Sequence, residues 1–187
     1  FNINGQQKWG SVWKTGRKQC VRIVTALGDE LVVTPDHLLR LANGVWEEAQ
    51  NLKGQDLLVL VPQPRVKELK DDYVRQDLIE RGSAWATSKT IRDDIDRYPL
   101  EWLLPFVFGA IQVLPHRISK EKRSALRRAL YRLGVLATID NNGNIVAEDN
   151  YRDRLAAIRG GALSLPLAPT TWSSVRVTDV LPDKERT

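Results

Sequence analysis

The sequence predicts a mainly β domain interrupted by a smaller α+β segment, and three observations carry that expectation. Residues 1–61 hold short β-branched runs separated by Gly and Asn-Gly turn signals. Residues 65–170 switch to apolar residues at helical spacing. Alternation then returns in "TWSSVRVTDVLPDKERT", where Val175, Val177 and Val180 would face one way and Arg176 and Thr178 the other. The order β, α+β, β fits an insertion within one β domain: residues 1–64, an insertion at 65–170, and a returning strand at 171–187.

Composition narrows the class. The chain has 187 residues, 42% apolar and 27% charged, which suits a folded protein with a real core. No run approaches the ~20 apolar residues needed to span a bilayer, so no membrane partner is expected and the cytoplasm is the default setting. One cysteine, Cys20, excludes an internal disulfide and a cysteine-rich zinc site. With only two histidines, His37 and His116, a protein-only metal site is not expected either.

Along the first segment, residues 20–25 and 30–34 form a hairpin around Leu27-Gly28-Asp29. "LLRLANGVWEEAQNL" repeats the device with Asn43-Gly44. "DLLVLVP" is a buried strand stopped by Pro62. Trp9, Trp13 and Trp46 read as core or sheet-packing aromatics, and Cys20 as a buried structural thiol.

"PQPRVKELKDD" has the composition of a linker. Past it, "DDYVRQDLIERG" is a helix with Gly82 as its stop, and "YPLEWLLPFVFGAIQV" is a strongly apolar segment around Pro105. The clearest helix is "SKEKRSALRRALYRLG", with Ser119 as N-cap, Gly134 as C-cap, and Leu126, Ala129, Leu130 and Leu133 as its buried face. "VLATIDNNGNIVAED" is a hairpin around Asn142-Gly143, and "NYRDRLAAIRGG" a short helix.

The net charge of +5 is unevenly spread. Arg117, Lys120, Lys122, Arg123, Arg127, Arg128 and Arg132 face a single acid, Glu121, within residues 114–132. Two readings stand: a stripe that meets nucleic-acid phosphates, or a solvated helix face. In "LVVTPDHLLRL", His37 follows a Thr-Pro-Asp turn; alone, this reads first as a solvated turn histidine and only second as an acid–base group.

The stretch from Trp13 to Pro62 resembles the front half of an intein splicing domain, the Hint fold shared with hedgehog autoprocessing domains. The resemblance rests on Gly28, the Thr34-x-x-His37 box, the Gly44-Val45-Trp46 hairpin with one extra residue, and Leu52-Lys53-Gly54-Gln55-Asp56 with Gln55 inserted. It implies a horseshoe-like, mainly β fold and autocatalytic splicing by acyl shift, transesterification and asparagine cyclisation. His37 would protonate the scissile nitrogen, and Thr34 would orient the junction peptide or hold its oxyanion. No cofactor is implied for splicing. The nucleophile strand and the terminal His-Asn of the family would lie before Phe1 and beyond Thr187, either on a second chain, as in split inteins, or on the same chain outside these residues. The partners would be flanking extein segments and, in the first case, a complementary intein fragment.

Residues 65–170 resemble one repeat of a LAGLIDADG homing endonuclease, in the form found inside inteins. Leu103-Leu104-Pro105-Phe106-Val107-Phe108-Gly109-Ala110-Ile111 stands where the signature helix would. The metal-binding acid of that signature would fall at Phe108 or Ala110, neither of which can ligate. The resemblance thus implies an inactive remnant, with Mg²⁺ needed only for an active nuclease and at most weak DNA binding. An active nuclease, a DNA-binding module and a hedgehog-like ester-forming module remain the alternatives.

Overall fold

The computed structural model describes residues 2–3, 6–7, 16, 18–89, 94–114 and 118–186. Asn2–Ile3 (β1) and Gln6–Gln7 (β2) pair as a small ladder. Lys18–Thr25 (β3) and Glu30–Val33 (β4) form the first hairpin, and Leu38–Arg40 (β5) with Trp46–Glu48 (β6) the second. Asp56–Val61 (β7) follows. Three helices come next: Asp72–Thr87 (α1), Leu100–Gln112 (α2) and Lys120–Arg132 (α3). Ala137–Ile139 (β8) and Ile145–Ala147 (β9) form a third hairpin, then Arg152–Arg159 (α4) and the long strand Thr171–Arg186 (β10) complete the described chain.

The main sheet is antiparallel, in the order β4-β3-β10-β7. The start of β10 pairs with β7, from Thr171 opposite Val61 to Arg176 opposite Asp56. The remainder pairs with β3, from Val177 opposite Thr25 to Arg186 opposite Lys18. The register shifts between Val177 and Asp179. An irregularity of this kind bends a strand, and it curls the sheet where β10 passes from one partner to the other. Val175 and Val177 are buried and Arg176 and Thr178 exposed, as the alternation predicts.

The expectation of a mainly β, Hint-type fold with a smaller insertion does not hold. The chain is mixed α/β, 37% helical and 29% strand, with one curled four-stranded sheet. The physical reason lies in where the apolar residues pack. Ile23, Leu41, Ala49, Leu52, Leu57 and Val177 form a small core within the β part. The larger core belongs to the helices, around Leu103, Phe106, Leu126, Leu130, Tyr151 and Ile158, and it also takes in Val61 and Val175 from the sheet.

Gly82 does not end α1, which runs on to Thr87. Gly82 and Gly109 are instead where α1 and α2 touch. A Cβ at Gly82 would lie 2.0 Å from the Phe106 carbonyl oxygen, and one at Gly109 2.0 Å from that of Ile79. The Ser83 hydroxyl bridges the crossing, 3.0 Å from both the Ile79 and the Gly109 carbonyl oxygens. Pro105 is accommodated inside α2 because the carbonyl it leaves unbonded is that of Glu101, an exposed first-turn residue.

The two connections between sheet and helices run side by side. Val66 and Leu165 exchange backbone hydrogen bonds of 2.8 and 2.9 Å, and Ala168 donates to the Gln63 carbonyl at 3.2 Å. Buried Arg154, on α4, ties both connections to the end of α3. Its guanidinium donates to the carbonyls of Leu133 at 2.6 Å, Pro166 at 2.9 Å and Pro64 at 2.5 Å.

Candidate functional site

The turn at residues 34–37 joins β4 to β5. Pro35 has no N–H to extend the ladder of β4, so the chain turns, and the His37 N–H closes on the Thr34 carbonyl at 3.1 Å. The 3-10 turn Ala49–Asn51 clamps it from the far side: Ala49 donates to the His37 carbonyl at 2.9 Å and Gln50 to the Pro35 carbonyl at 3.1 Å. Both ends of the turn are therefore held by backbone. Thr34 is half-buried, whereas Asp36 and His37 are exposed. Thr34 and His37 thus share one rigid turn. The Thr34 hydroxyl is the main influence holding the Asp36 carboxyl below the usual carboxylate range, followed by the residue's own backbone N–H. Lys18 and His37 add smaller charge effects in the same direction.

Trp46, expected in the core, is 60% exposed on the outer face of the second hairpin. Its strand is too short and too peripheral to be covered, and it pairs only with β5. Cys20 is half-buried in β3 opposite Asp183, its thiol 3.6 Å from the Lys18 carbonyl. Trp9, Trp13, His116 and Arg117 lie outside the described residues.

Each described basic residue of the predicted stripe has a protein partner, and they reach four different places because successive helix residues rotate by about 100°. Lys120 reaches Glu30 at 3.5 Å and Arg127 lies 3.7 Å from Asp29, both toward the β3–β4 turn. Arg128 grips both carboxylate oxygens of Asp96 through Nε, at 3.1 and 3.3 Å, and one of them again through a terminal nitrogen at 2.8 Å. Arg132 donates to the carbonyls of Ile95, Asp96 and Tyr98. Lys122 caps the end of α1: its ammonium meets the Trp85 and Ser88 carbonyls and lies 5.1 Å from the Trp85 ring centroid. Burial lowers its pKa. Arg123 meets the Asn141 side chain.

At the predicted metal-binding positions, Ala110 is fully buried, and a Cβ at Gly161 would lie 3.2 Å from the Phe108 ring. Among the described residues no group of three or more His, Cys, Asp or Glu side chains could hold a metal ion, and no helix is long and apolar enough to cross a membrane.

Sequence reasoning missed one feature, a cavity of about 770 Å³ between the main sheet and α3. Ile23, Leu57, Val59 and Val175 line it from the sheet and Val135 and Leu136 from beyond α3, while the polar lining includes the acids Asp29, Glu30 and Glu121 and the cations Lys120 and Arg127. Its one legible signal was the i, i+7 pair Lys120 and Arg127, which puts two cations on one helix face. Compared with known proteins, no family model matches the chain and no solved structure matches it.

Proposed function

We propose that this chain is part of a protein-splicing element whose helical segment is a nuclease-like remnant without cutting activity. The observation that supports the reading is the turn at residues 34–37: it displays His37 beside Thr34, the pair the intein resemblance names, on backbone fixed from both ends.

In the proposed reaction a junction peptide lies across this turn. His37 donates a proton to the scissile amide nitrogen as a neighbouring thiol or hydroxyl takes the acyl group: the C–S or C–O bond forms, the C–N bond breaks with nitrogen leaving as a neutral amine and not as an amide anion, and the nucleophile's proton returns to His37. The Thr34 hydroxyl, which already interacts with Asp36, orients the junction from the side; its single proton can serve only one acceptor at a time. Nucleophile and cyclising asparagine come from the complementary and flanking segments, which are the partners of this reading. No cofactor takes part, and the setting is the cytoplasm. DNA affinity is weak in this reading, because most cations of α3 already serve protein acceptors and the exception, Arg127, is buried.

The test is a completed protein carrying an upstream cysteine junction and a downstream His-Asn. His37→Ala should slow upstream cleavage or acyl transfer by roughly 10²-fold, the usual scale for a positioned acid–base group. Equal rates for His37→Ala and the parent would remove the reading.

A further inference from the structure

The cavity between the sheet and α3 is not used by the proposed reaction, and one of its walls carries an unusual cation. Arg127 has a side chain only 11% exposed, yet it makes a single hydrogen bond among the described residues, from a terminal nitrogen to Ser124 Oγ at 3.1 Å. Its Nε is buried and has no hydrogen-bond partner among the described residues. Asp29, the nearest carboxylate, stands 3.7 Å away, beyond hydrogen-bond reach. A guanidinium has five N–H donors, and shielding most of them from water without acceptors is costly.

Its neighbours are differently placed. Arg128 is committed to Asp96, and Glu30 is shared between Lys120 and Arg22. Arg127 is therefore the cation left for an outside anion. The guanidinium lies against the β3–β4 turn at Gly28, where φ is +78° and a Cβ would come within 2.9 Å of it. The sheet wall beside it is aliphatic: Ile23, Leu57, Val59 and Val175. A volume of about 770 Å³ falls within the range of pockets that hold small ligands.

We infer that this cavity binds a small amphipathic carboxylate, its aliphatic chain against the sheet and its carboxylate on Arg127. The inference is independent of the splicing reading. Three acids line the same cavity, Asp29, Glu30 and Glu121. Glu30 is held by Lys120 and Arg22, whereas Asp29 gives Arg127 a distant negative charge and is the acid that most opposes an incoming carboxylate there.

These roles set opposite signs for two substitutions. Octanoate, octanol and octylamine, titrated calorimetrically into the purified chain, separate charge from apolar area. Octanoate should bind at least about tenfold more tightly than either analogue, the scale of one charge-assisted hydrogen bond. Arg127→Gln should abolish that preference, and Asp29→Asn should strengthen octanoate binding. Thermal unfolding of each variant verifies the fold, and Asp29→Asn keeps the test decisive should Arg127→Gln not fold. Equal binding of the three ligands, preference for octylamine, no binding of octanoate, or weaker octanoate binding by Asp29→Asn would each overturn the inference.

Discussion

Replacing Gly109 by alanine should destabilise the protein, although helix propensity alone predicts the reverse. In an isolated helix the change gains about 1 kcal/mol. Here the new methyl carbon would sit 2.0 Å from the Ile79 carbonyl oxygen and 2.7 Å from its carbon. Carbon and carbonyl oxygen normally stay at least about 3.3 Å apart, so the helices must separate by roughly 1 Å at this point. Overpacking of this kind costs about 1–3 kcal/mol, and loss of the Ser83 contact to the Gly109 carbonyl adds about 1 kcal/mol. The net expectation is a loss of about 1–3 kcal/mol, read from urea unfolding. Gly82→Ala should act similarly, because its methyl would meet the Phe106 carbonyl at the same crossing. Once one substitution has opened the crossing the other finds space, so the double variant should lose less than the two single losses combined. Unchanged or raised stability for Gly109→Ala, or strict additivity, would refute the reasoning.

Arg154→Met should cost about 2–4 kcal/mol in guanidinium unfolding, since it strands three carbonyls that the guanidinium now joins; Arg154→Lys should recover less than half, because one ammonium cannot span the three. Arg128, through its hydrogen bonds, holds the Asp96 carboxyl below its ordinary value of 3.8, against the opposing effect of burial. With the folded pKa depressed, this contribution is present above the ordinary value and is lost as pH falls through the lower folded value; Asp96→Asn should flatten the acid limb of a stability–pH curve, tempered by the pair's partial exposure. On duplex DNA with Mg²⁺, the purified protein should leave both strands uncut and bind weakly, with any affinity falling steeply with salt. Metal-dependent cutting at a defined site, seen on a gel, would contradict the reading of Phe108 and Ala110.

Local structure was the most legible part of the sequence. Ser119 caps α3 by accepting from the Lys122 N–H at 3.3 Å, and the hairpin turn at residues 140–144 forms where Asn142-Gly143 signalled it. Those signals act over a few residues and need no tertiary partner. The balance of the fold was not legible, because periodicity marks a helix without saying which core it will dominate. Gly82 read as a stop because glycine is weak in isolated helices; only the neighbouring helix shows that the missing Cβ is needed for contact. For the candidate site, the Thr34 and His37 turn could be read from proline and spacing. The basic stripe could not, because the acceptors of Arg128, Arg132 and Lys122 come from residues 85–98, distant in sequence. The cavity beside Arg127 needs strands from both ends of the described chain and was beyond any local signal.

That last dependence sets an order of folding. β10 stands between β3 and β7, which do not pair with each other, so the sheet has no continuous ladder until the final described strand is in place. During synthesis the β3–β4 hairpin and β7 leave the ribosome first, and the strand that joins them follows only after the whole helical segment. The helices need no such delay, since α1 and α2 close on one another across a short connection. The helical segment therefore assembles most of its core first, Val175 joining only with β10, and its paired entry and exit connections hold Val61 ready for Thr171. Until then the exposed edges of β3 and β7 are the places where a nascent chain is open to wrong pairing.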